Sequence, residues 1–141
     1  MGLAPAGSLL TLMLNRAVRA VFLLAAVAWA ILIFYLSSQP GIDAPMLFPG
    51  QDKLFHLVVF GILGFFVMGT LPAAPGGYRR QQLWRVAIAV MLYGVSDEFH
   101  QHFVPGRTVE ILDVLADALG GLLGAWTLYQ LSRMAGKRST Q

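Results

Sequence analysis

The chain alternates between apolar segments and short stretches rich in proline, glycine and charge. A membrane-spanning helix needs about 17–25 mostly apolar residues at a rise of ~1.5 Å each, and the segments 20–36 and 54–71 meet this length. A third segment is strictly apolar only over 86–95, and a fourth ends near Leu131. The pattern predicts one all-α domain with four transmembrane helices at about 18–36, 54–71, 84–103 and 109–131, and a basic disordered tail at 132–141.

Composition supports a membrane protein. Hydrophobic residues make up 57% of the 141 residues and charged residues only 12%, against roughly 25% charged in soluble domains. The mean hydropathy is +0.66. There is no cysteine, which excludes thiolate metal sites and disulfides. The high pI comes without a basic patch on a soluble fold, so no nucleic-acid partner is expected.

The distribution of basic residues predicts the orientation. Eight of the ten lysines and arginines flank the predicted helices on one side, and the positive-inside rule makes that side cytoplasmic. These eight are Arg16, Arg19, Arg79, Arg80, Arg85, Arg133, Lys137 and Arg138. Both termini are then cytoplasmic, and all seven acids lie toward the opposite, extracytoplasmic side. We expect a multi-pass protein of the bacterial cell membrane.

The acids are predicted to converge at one depth. Helix rise places Asp97 and Glu98 roughly 8–10 Å below the outer interface, and His56 and Asp117 fall at a similar depth on other helices. Below Asp117 the same helical face carries Gly120 and Gly124. This small-x-x-x-small spacing lets another helix approach closely, so the acids should point into the bundle.

Three interpretations of this polar cluster remain open. In the first, the cluster binds a ligand, with Arg107 on a Pro-Gly turn positioned to take a phosphate or carboxylate. The ligand would be a membrane lipid or a lipid-linked envelope precursor. The candidate binding residues are Asp52, Lys53, His56, Asp97, Glu98, Gln101, Arg107, Asp113 and Asp117.

The second interpretation is catalytic, with a membrane hydrolase acting on a lipid-linked substrate. His56 and Glu98 are the catalytic candidates, His56 being a base oriented by Asp52 or Asp113. A divalent metal is an alternative, with ligands from His56, Glu98, His100 and His102 together with Asp97 or Asp113. The sequence has no HExxH motif, and we expect a protein without catalytic activity and without a cofactor.

The third interpretation is structural. Lys53 and Arg107 would neutralise Asp97, Glu98 and Asp113, and the glycine face would contact a partner helix or a second copy of the chain. Unpaired charges inside a membrane are unfavourable, by about 2.5–3.5 kcal/mol at the bilayer centre, and the acids outnumber the bases. Bound cations or protonated carboxyls would have to balance the excess.

Three separated motifs make the chain resemble the VanZ-like family of small bacterial membrane proteins, which is named for a teicoplanin-resistance factor. They are SSQP after the first helix, DKLFH at 52–56, and SDEFHQHFVPGRTVEILDVLADALGGLLG at 96–124. The residues that match the family pattern are Asp52, Lys53, His56, Glu98, Gln101, Pro105, Gly106, Arg107, Asp113, Gly120 and Gly124. Asp117 departs from it, because many relatives have asparagine there. The resemblance implies a cell-envelope protein and, in some members, resistance to a lipoglycopeptide antibiotic, but no reaction.

Overall fold

The computed structural model describes residues 6–40, 47–74 and 77–138, and these form four α-helices. They are α1 (Ala6–Ser37), α2 (Gln51–Thr70), α3 (Arg80–Gln101) and α4 (Ile111–Arg138). The described residues contain no strand, only an isolated bridge between Ala74 and Gly77. The prediction of an all-α chain is confirmed.

Three helices are long and apolar enough to cross a membrane. They are α1 from Asn15 to Ser37, α2 over its whole length, and α4 from Ile111 to Ala135. The remaining helix, α3, is more polar, and several of its polar residues lie inside the bundle. Its buried residues include Gln82, Asp97, Glu98 and Gln101.

The outward side of α3 carries a stripe of large apolar side chains, with the exposed polar residues Arg80, Gln81, Arg85 and Ser96 beside it. Trp84, Ile88, Leu92, Val95 and Phe99 are all exposed, at intervals of three or four residues. This spacing places them in one stripe along the helix. The low overall hydropathy of α3 therefore comes in part from polar residues buried inside the bundle, and its exposed side still has a continuous apolar stripe.

Contacts between helices define their directions. Leu57 of α2 contacts Gly120 of α4, and Gly61 contacts Gly124. Residue numbers therefore rise in the same direction along both helices, and α2 and α4 are parallel. Val90 and Gly94 of α3 meet Gly121 and Asp117 in reverse order, so α3 is antiparallel to both. Against α1, the Tyr93 hydroxyl donates to Ala30 O and His100 pairs with Ser38, so α1 and α3 are parallel.

The most extensive helix contact joins α2 and α4, and glycines make it possible. A Cβ added at Gly124 would overlap the carbonyl oxygen of Gly61 on α2, and one at Gly64 would overlap the backbone of Gly121. Predicted contact residues Gly120 and Gly124 thus face α2 of the same chain. Beside this contact, Phe60, Met68, Val86 and Val90 form part of the buried core.

The helices do not begin and end at their predicted bounds. The prediction followed the apolar residues, whereas the ends of a helix are defined by its backbone hydrogen bonds. α1 begins at Ala6 instead of about 18, and α2 at Gln51 instead of about 54. α3 runs 80–101 instead of 84–103, and 102–106 form turns that include Gly106 at φ 76°.

The predicted disordered tail is also wrong over 132–138, which continue α4 to Arg138. Arg133 Nη1 donates to the Tyr129 hydroxyl at 3.2 Å, and its guanidinium lies 5.6 Å from the Tyr129 ring centroid. A cation in the last turns also interacts favourably with the helix dipole. Residues 139–141 lie outside the described part of the chain.

Candidate functional site

The polar residues of the bundle collect at one end, where three helices meet. Because α3 is antiparallel to α2 and α4, its last turn lies beside their first turns. The end of α3 supplies Asp97, Glu98 and Gln101. The first two turns of α2 and α4 supply Asp52, Lys53, His56, Asp113 and Asp117. Four of these carboxylates, on Asp97, Glu98, Asp113 and Asp117, belong to buried residues.

Lys53 is the cation of this cluster. Its Nζ lies 2.5 Å from Asp52 Oδ2, 2.5 Å from Glu110 Oε2 and 3.3 Å from Asp113 Oδ1. The Asp113 contact is an ion pair without hydrogen-bonding geometry, since Asp113 Oδ1 has no hydrogen-bond partner. One ammonium therefore joins α2, the segment before α4 and α4 itself.

His56 and Asp117 form a second pair across α2 and α4. His56 Nδ1 lies 2.9 Å from Asp117 Oδ1, and the His56 ring stacks on Phe60 with 5.9 Å between ring centroids. Asp117 is fully buried. The sequence instead predicted Asp52 or Asp113 as the acid that orients His56; Asp52 binds Lys53 because it lies at the solvent end of α2.

The two acids of α3 have different partners. Asp97 Oδ2 accepts a hydrogen bond from Gln101 Nε2 at 2.8 Å, one helical turn further on. Glu98 Oε2 accepts a hydrogen bond from the backbone amide of Glu110 at 3.0 Å, which holds the segment before α4 against α3. In both residues the second carboxylate oxygen is buried and has no hydrogen-bond partner.

The cluster therefore contains more buried acceptors than donors. The unpartnered atoms are Asp97 Oδ1, Glu98 Oε1, Asp113 Oδ1 and Asp117 Oδ2. Native proteins satisfy nearly all buried polar atoms. Lys53 Nζ lies 3.3 Å from Asp113 Oδ1, but the other three oxygens have neither a hydrogen bond nor an ion pair among the described residues, which points to a missing donor or cation.

A cavity of about 420 Å³ opens beside the cluster, between α1, α2 and α3. Polar side chains line part of it, namely Ser37, Gln51, Asp52, His56, Asp97, Gln101 and Arg107. Apolar side chains line the rest, namely Ile33, Leu36, Phe55, Val59 and Phe60. The cavity thus combines charged groups with an apolar wall.

Arg107 lies at this cavity and not in an ion pair with the acids. Its Nη2 donates to Leu36 O at 2.9 Å and its Nε to Gln39 O at 3.2 Å. Both contacts lie at the C-terminal end of α1, where a cation interacts favourably with the helix dipole. The predicted neutralisation of Asp97, Glu98 and Asp113 by Arg107 is therefore wrong among the described contacts. The segment preceding α2 from 41 to 46 is outside the described residues.

The four predicted metal candidates are not brought together. His56 and Glu98 lie close, and Asp113 joins them: one ligand atom from each lies within 4.8 Å of the other two. His100 instead stacks on Phe34 of α1, with ring centroids 4.4 Å apart. Its Nε2 lies 2.9 Å from Ser38 Oγ. A position two residues after Glu98 lies about 200° around the helix, which turns His100 toward α1.

His102 is the other candidate that lies apart. It follows the end of α3, is exposed, and contacts the Phe103 ring edge-on at 5.2 Å between centroids. Its spacing from Glu98 suits a shared helical face, and its backbone N–H donates to Glu98 O, but the His102 side chain is exposed whereas Glu98 is buried.

Sequence reasoning missed Glu110 as a site residue and Gly94 as a packing residue. Glu110 pairs with Lys53, and the available signal was its position three residues before Asp113, facing the only lysine at that end. Gly94 leaves room for Asp117, because a Cβ there would overlap the Asp117 carboxylate. Nothing in the sequence indicates that pairing, which depends on how α3 crosses α4.

Comparison with known proteins places all of these residues inside one family match. The VanZ/LLP1 profile matches residues 21–133, which is most of the chain. No curated protein gives a significant match. No solved structure does so either. A family profile extending over 113 of 141 residues, 21 to 133, covers α2 and α3 completely and parts of α1 and α4. The chain therefore belongs to the VanZ/LLP1 family, and its three apolar helices indicate an integral membrane protein.

Proposed function

We propose that this protein is a bacterial cell-envelope membrane protein whose cavity binds the head group of a membrane lipid or of a lipid-linked envelope precursor. The observation that carries the proposal is the cavity itself. It places Arg107 and several hydrogen-bonding groups beside an apolar wall in one space of about 420 Å³. Ligand sites for small molecules are commonly concave, mostly apolar and furnished with a few convergent polar groups.

The chemistry of the lining defines the ligand class. Arg107 offers guanidinium N–H groups that suit a phosphate, which they can bind bidentately. Asp97 lines the same cavity and has an oxygen without a partner, so it suits a ligand hydroxyl or amine. The apolar side chains on α1 and α2 suit the first methylenes of a lipid chain. An anionic head group with hydrogen-bond donors meets all three conditions.

The proposal includes a fourth membrane crossing by α3. The exposed apolar stripe from Trp84 to Phe99 supports it, because this is the surface that a lipid-facing helix needs. The alternating helix directions support it too, since α1 and α3 are parallel and α2 and α4 oppose them. With the basic residues at one end, both termini are cytoplasmic and the cavity faces the extracytoplasmic side.

Lipid retention tests the proposal directly. The purified full chain, in wild-type form and as Arg107→Ala, would be measured by native mass spectrometry for retained phosphate-bearing lipid. Hydrogen bonds to charged groups contribute about 1.5–3 kcal/mol, so Arg107→Ala should weaken retention by about tenfold or more. The matched control is Arg80→Ala, an exposed arginine at the opposite end of the bundle, which should retain lipid as the wild type does.

Arg107 also binds carbonyls of α1, so a second variant separates ligand binding from folding. Val59→Phe adds volume to the apolar wall while leaving Arg107 unchanged, and it should expel the lipid with little change in thermal stability. If Arg107→Ala and Val59→Phe both retained as much lipid as the wild type, head-group binding in this cavity would be refuted. In a susceptible bacterial host, we also expect expression to lower teicoplanin susceptibility and Arg107→Ala to remove that effect.

A second candidate function is hydrolysis of a lipid-linked substrate. One observation favours it: His56 lines the cavity and is oriented by the buried Asp117, as a general base is oriented by its acid. His56→Ala should then abolish turnover of a phospholipid or polyprenyl-phosphate substrate while lipid still binds. Absence of turnover in the wild type with both substrate classes would count against this function.

A further inference from the structure

His56, Glu98 and Asp113 form a compact group of metal-ligating side chains contributed by three different helices. One ligand atom from each lies within 4.8 Å of the other two. Imidazole nitrogen and carboxylate oxygen are ligands that Zn²⁺ accepts, and three protein ligands are the usual number where a fourth position stays open. Of the ligands predicted from the sequence, the group keeps His56, Glu98 and Asp113, while His100 and His102 lie elsewhere.

The burial of the two carboxylates is a separate observation that points to a cation. Glu98 is 4% exposed and Asp113 6% exposed. Glu98 Oε1 is buried without a hydrogen-bond partner, and Asp113 Oδ1 has no hydrogen bond and only the ion pair with Lys53 at 3.3 Å. Leaving a buried acceptor unsatisfied costs about 1–3 kcal/mol, and more when it is charged. A divalent ion bound by both carboxylates would offset the negative charge that Lys53 leaves uncompensated.

His56 is oriented as a metal-binding histidine usually is. Its Nδ1 faces Asp117 Oδ1 at 2.9 Å, which leaves Nε2 as the nitrogen available to a ligand. Metal-bound histidines commonly donate their other ring N–H to a carboxylate, which fixes the tautomer and the ring orientation. The stacking of His56 on Phe60, with 8° between the rings, holds the same orientation.

A neighbouring acidic group already has a cation, the ammonium of Lys53. Asp52, Glu110 and Asp113 also place their oxygens within 4.8 Å of one another, and Lys53 Nζ contacts all three. No lysine or arginine occupies the corresponding place between His56 and Glu98 among the described contacts. Arg107, the other cation at this end, binds backbone carbonyls of α1.

We propose that His56, Glu98 and Asp113 bind one divalent transition-metal ion, with Asp117 holding His56 in position. A ligand set of one imidazole and two carboxylates favours Zn²⁺ over Mg²⁺ or Ca²⁺, which prefer oxygen ligands alone. The ion is bound next to the cavity, because His56 belongs to both. The inference stands without the proposed lipid function, since it depends only on these four side chains.

The test uses Zn²⁺ as the probe and the purified full chain in detergent, after removal of metal with a chelator. Bound zinc per chain would be measured by elemental analysis, and affinity by competition with a chromophoric chelator. Wild type and the control His102→Ala, which removes an exposed histidine outside the group, should each bind one equivalent. Asp117→Ala should lower the affinity about 10–100-fold, as loss of an outer partner does, and His56→Ala more.

Glu98→Gln is the variant that keeps the proposal falsifiable if His56→Ala fails to fold. It preserves side-chain size and should still lose zinc affinity, with an unchanged helical circular dichroism spectrum. X-ray absorption of the zinc-loaded wild type should give nitrogen and oxygen neighbours at about 2.0–2.2 Å. Less than stoichiometric zinc in the wild type, or equal affinity in Glu98→Gln and wild type, would overturn the site. Zinc binding without Arg107-dependent lipid retention would support the metal site and refute the lipid proposal. Arg107-dependent lipid retention without zinc binding would support the lipid proposal and refute the metal site.

Discussion

His56 Nδ1 lies 2.9 Å from Asp117 Oδ1 in a place where Asp117 is fully buried and its other carboxylate oxygen has no hydrogen-bond partner. The histidine is thus the only described side chain that satisfies this acid. The pair joins α2 to α4 just above the glycine contact between the same two helices. Its loss should therefore affect both the geometry of the site and the stability of the bundle.

We expect Asp117→Ala to lower the free energy of unfolding by about 1–3 kcal/mol, because the His56 ring N–H would lose its acceptor in a buried place. Asp117→Asn should lower it less, since the amide oxygen can still accept from His56. Thermal unfolding in detergent micelles, followed by circular dichroism, would compare the two. The prediction is wrong if both variants unfold at the same temperature.

Lys53 should be a stability determinant of the polar end of the bundle. Lys53→Met removes the cation that contacts Asp52, Glu110 and Asp113. Asp52 and Glu110 are about two-fifths exposed, at 44% and 43%, so solvent screens them and the main loss comes from buried Asp113. Breaking a fully buried pair is unfavourable by about 3–5 kcal/mol, and this partly exposed network should lose less than that.

The double variant Lys53→Met with Asp113→Asn isolates the buried charge. Asparagine at 113 removes the uncompensated carboxylate, so the double variant should unfold at a higher temperature than Lys53→Met alone. Asp52→Asn combined with Lys53→Met is the matched control and should restore less stability, because Asp52 remains solvated without its partner. Equal recovery in the two double variants would argue against a special role for Asp113.

Glycine substitutions should distinguish tight from tolerant positions on one interface. A Cβ at Gly124 would overlap the Gly61 carbonyl oxygen, whereas a Cβ at Gly61 would lie 3.4 Å from Gly120 O. Gly124→Ala should therefore separate α2 from α4 and cost about 1–3 kcal/mol, the usual range for overpacking. Gly61→Ala should change the unfolding temperature little. Similar unfolding temperatures for the two variants would contradict the close approach at Gly124.

The proposed orientation can be tested with single cysteines, because the chain contains none. His102→Cys, exposed at the polar end, should react with a membrane-impermeant maleimide added to intact cells. Arg80→Cys, exposed at the opposite end, should react only after the membrane is opened. Gln101 lies at the same end of the bundle but is a poor labelling position, since it is buried and donates to Asp97. The reverse labelling pattern would overturn the orientation.

The sequence by itself determined the helical class and the end of the bundle at which the acids gather. Apolar segments of membrane-spanning length and helix-breaking prolines and glycines are local signals, and they need no knowledge of partners. The convergence of His56, Glu98 and Asp117 also followed from local properties, because helix rise sets the depth of each residue. Composition indicated a membrane protein because it, too, can be read without knowing which residues are in contact.

Only the tertiary structure decided which side chains pair. Lys53 selects Asp52, Glu110 and Asp113, His56 selects Asp117, and Arg107 turns to the carbonyls of α1. All these groups lie at similar depth, so rise along a helix cannot separate them. Pairing depends on the rotation of each helix about its axis and on how closely the helices approach. Both are set by the glycine contacts between α2 and α4 and by the space that Gly94 leaves for Asp117, which are relations between helices and not properties of any one segment.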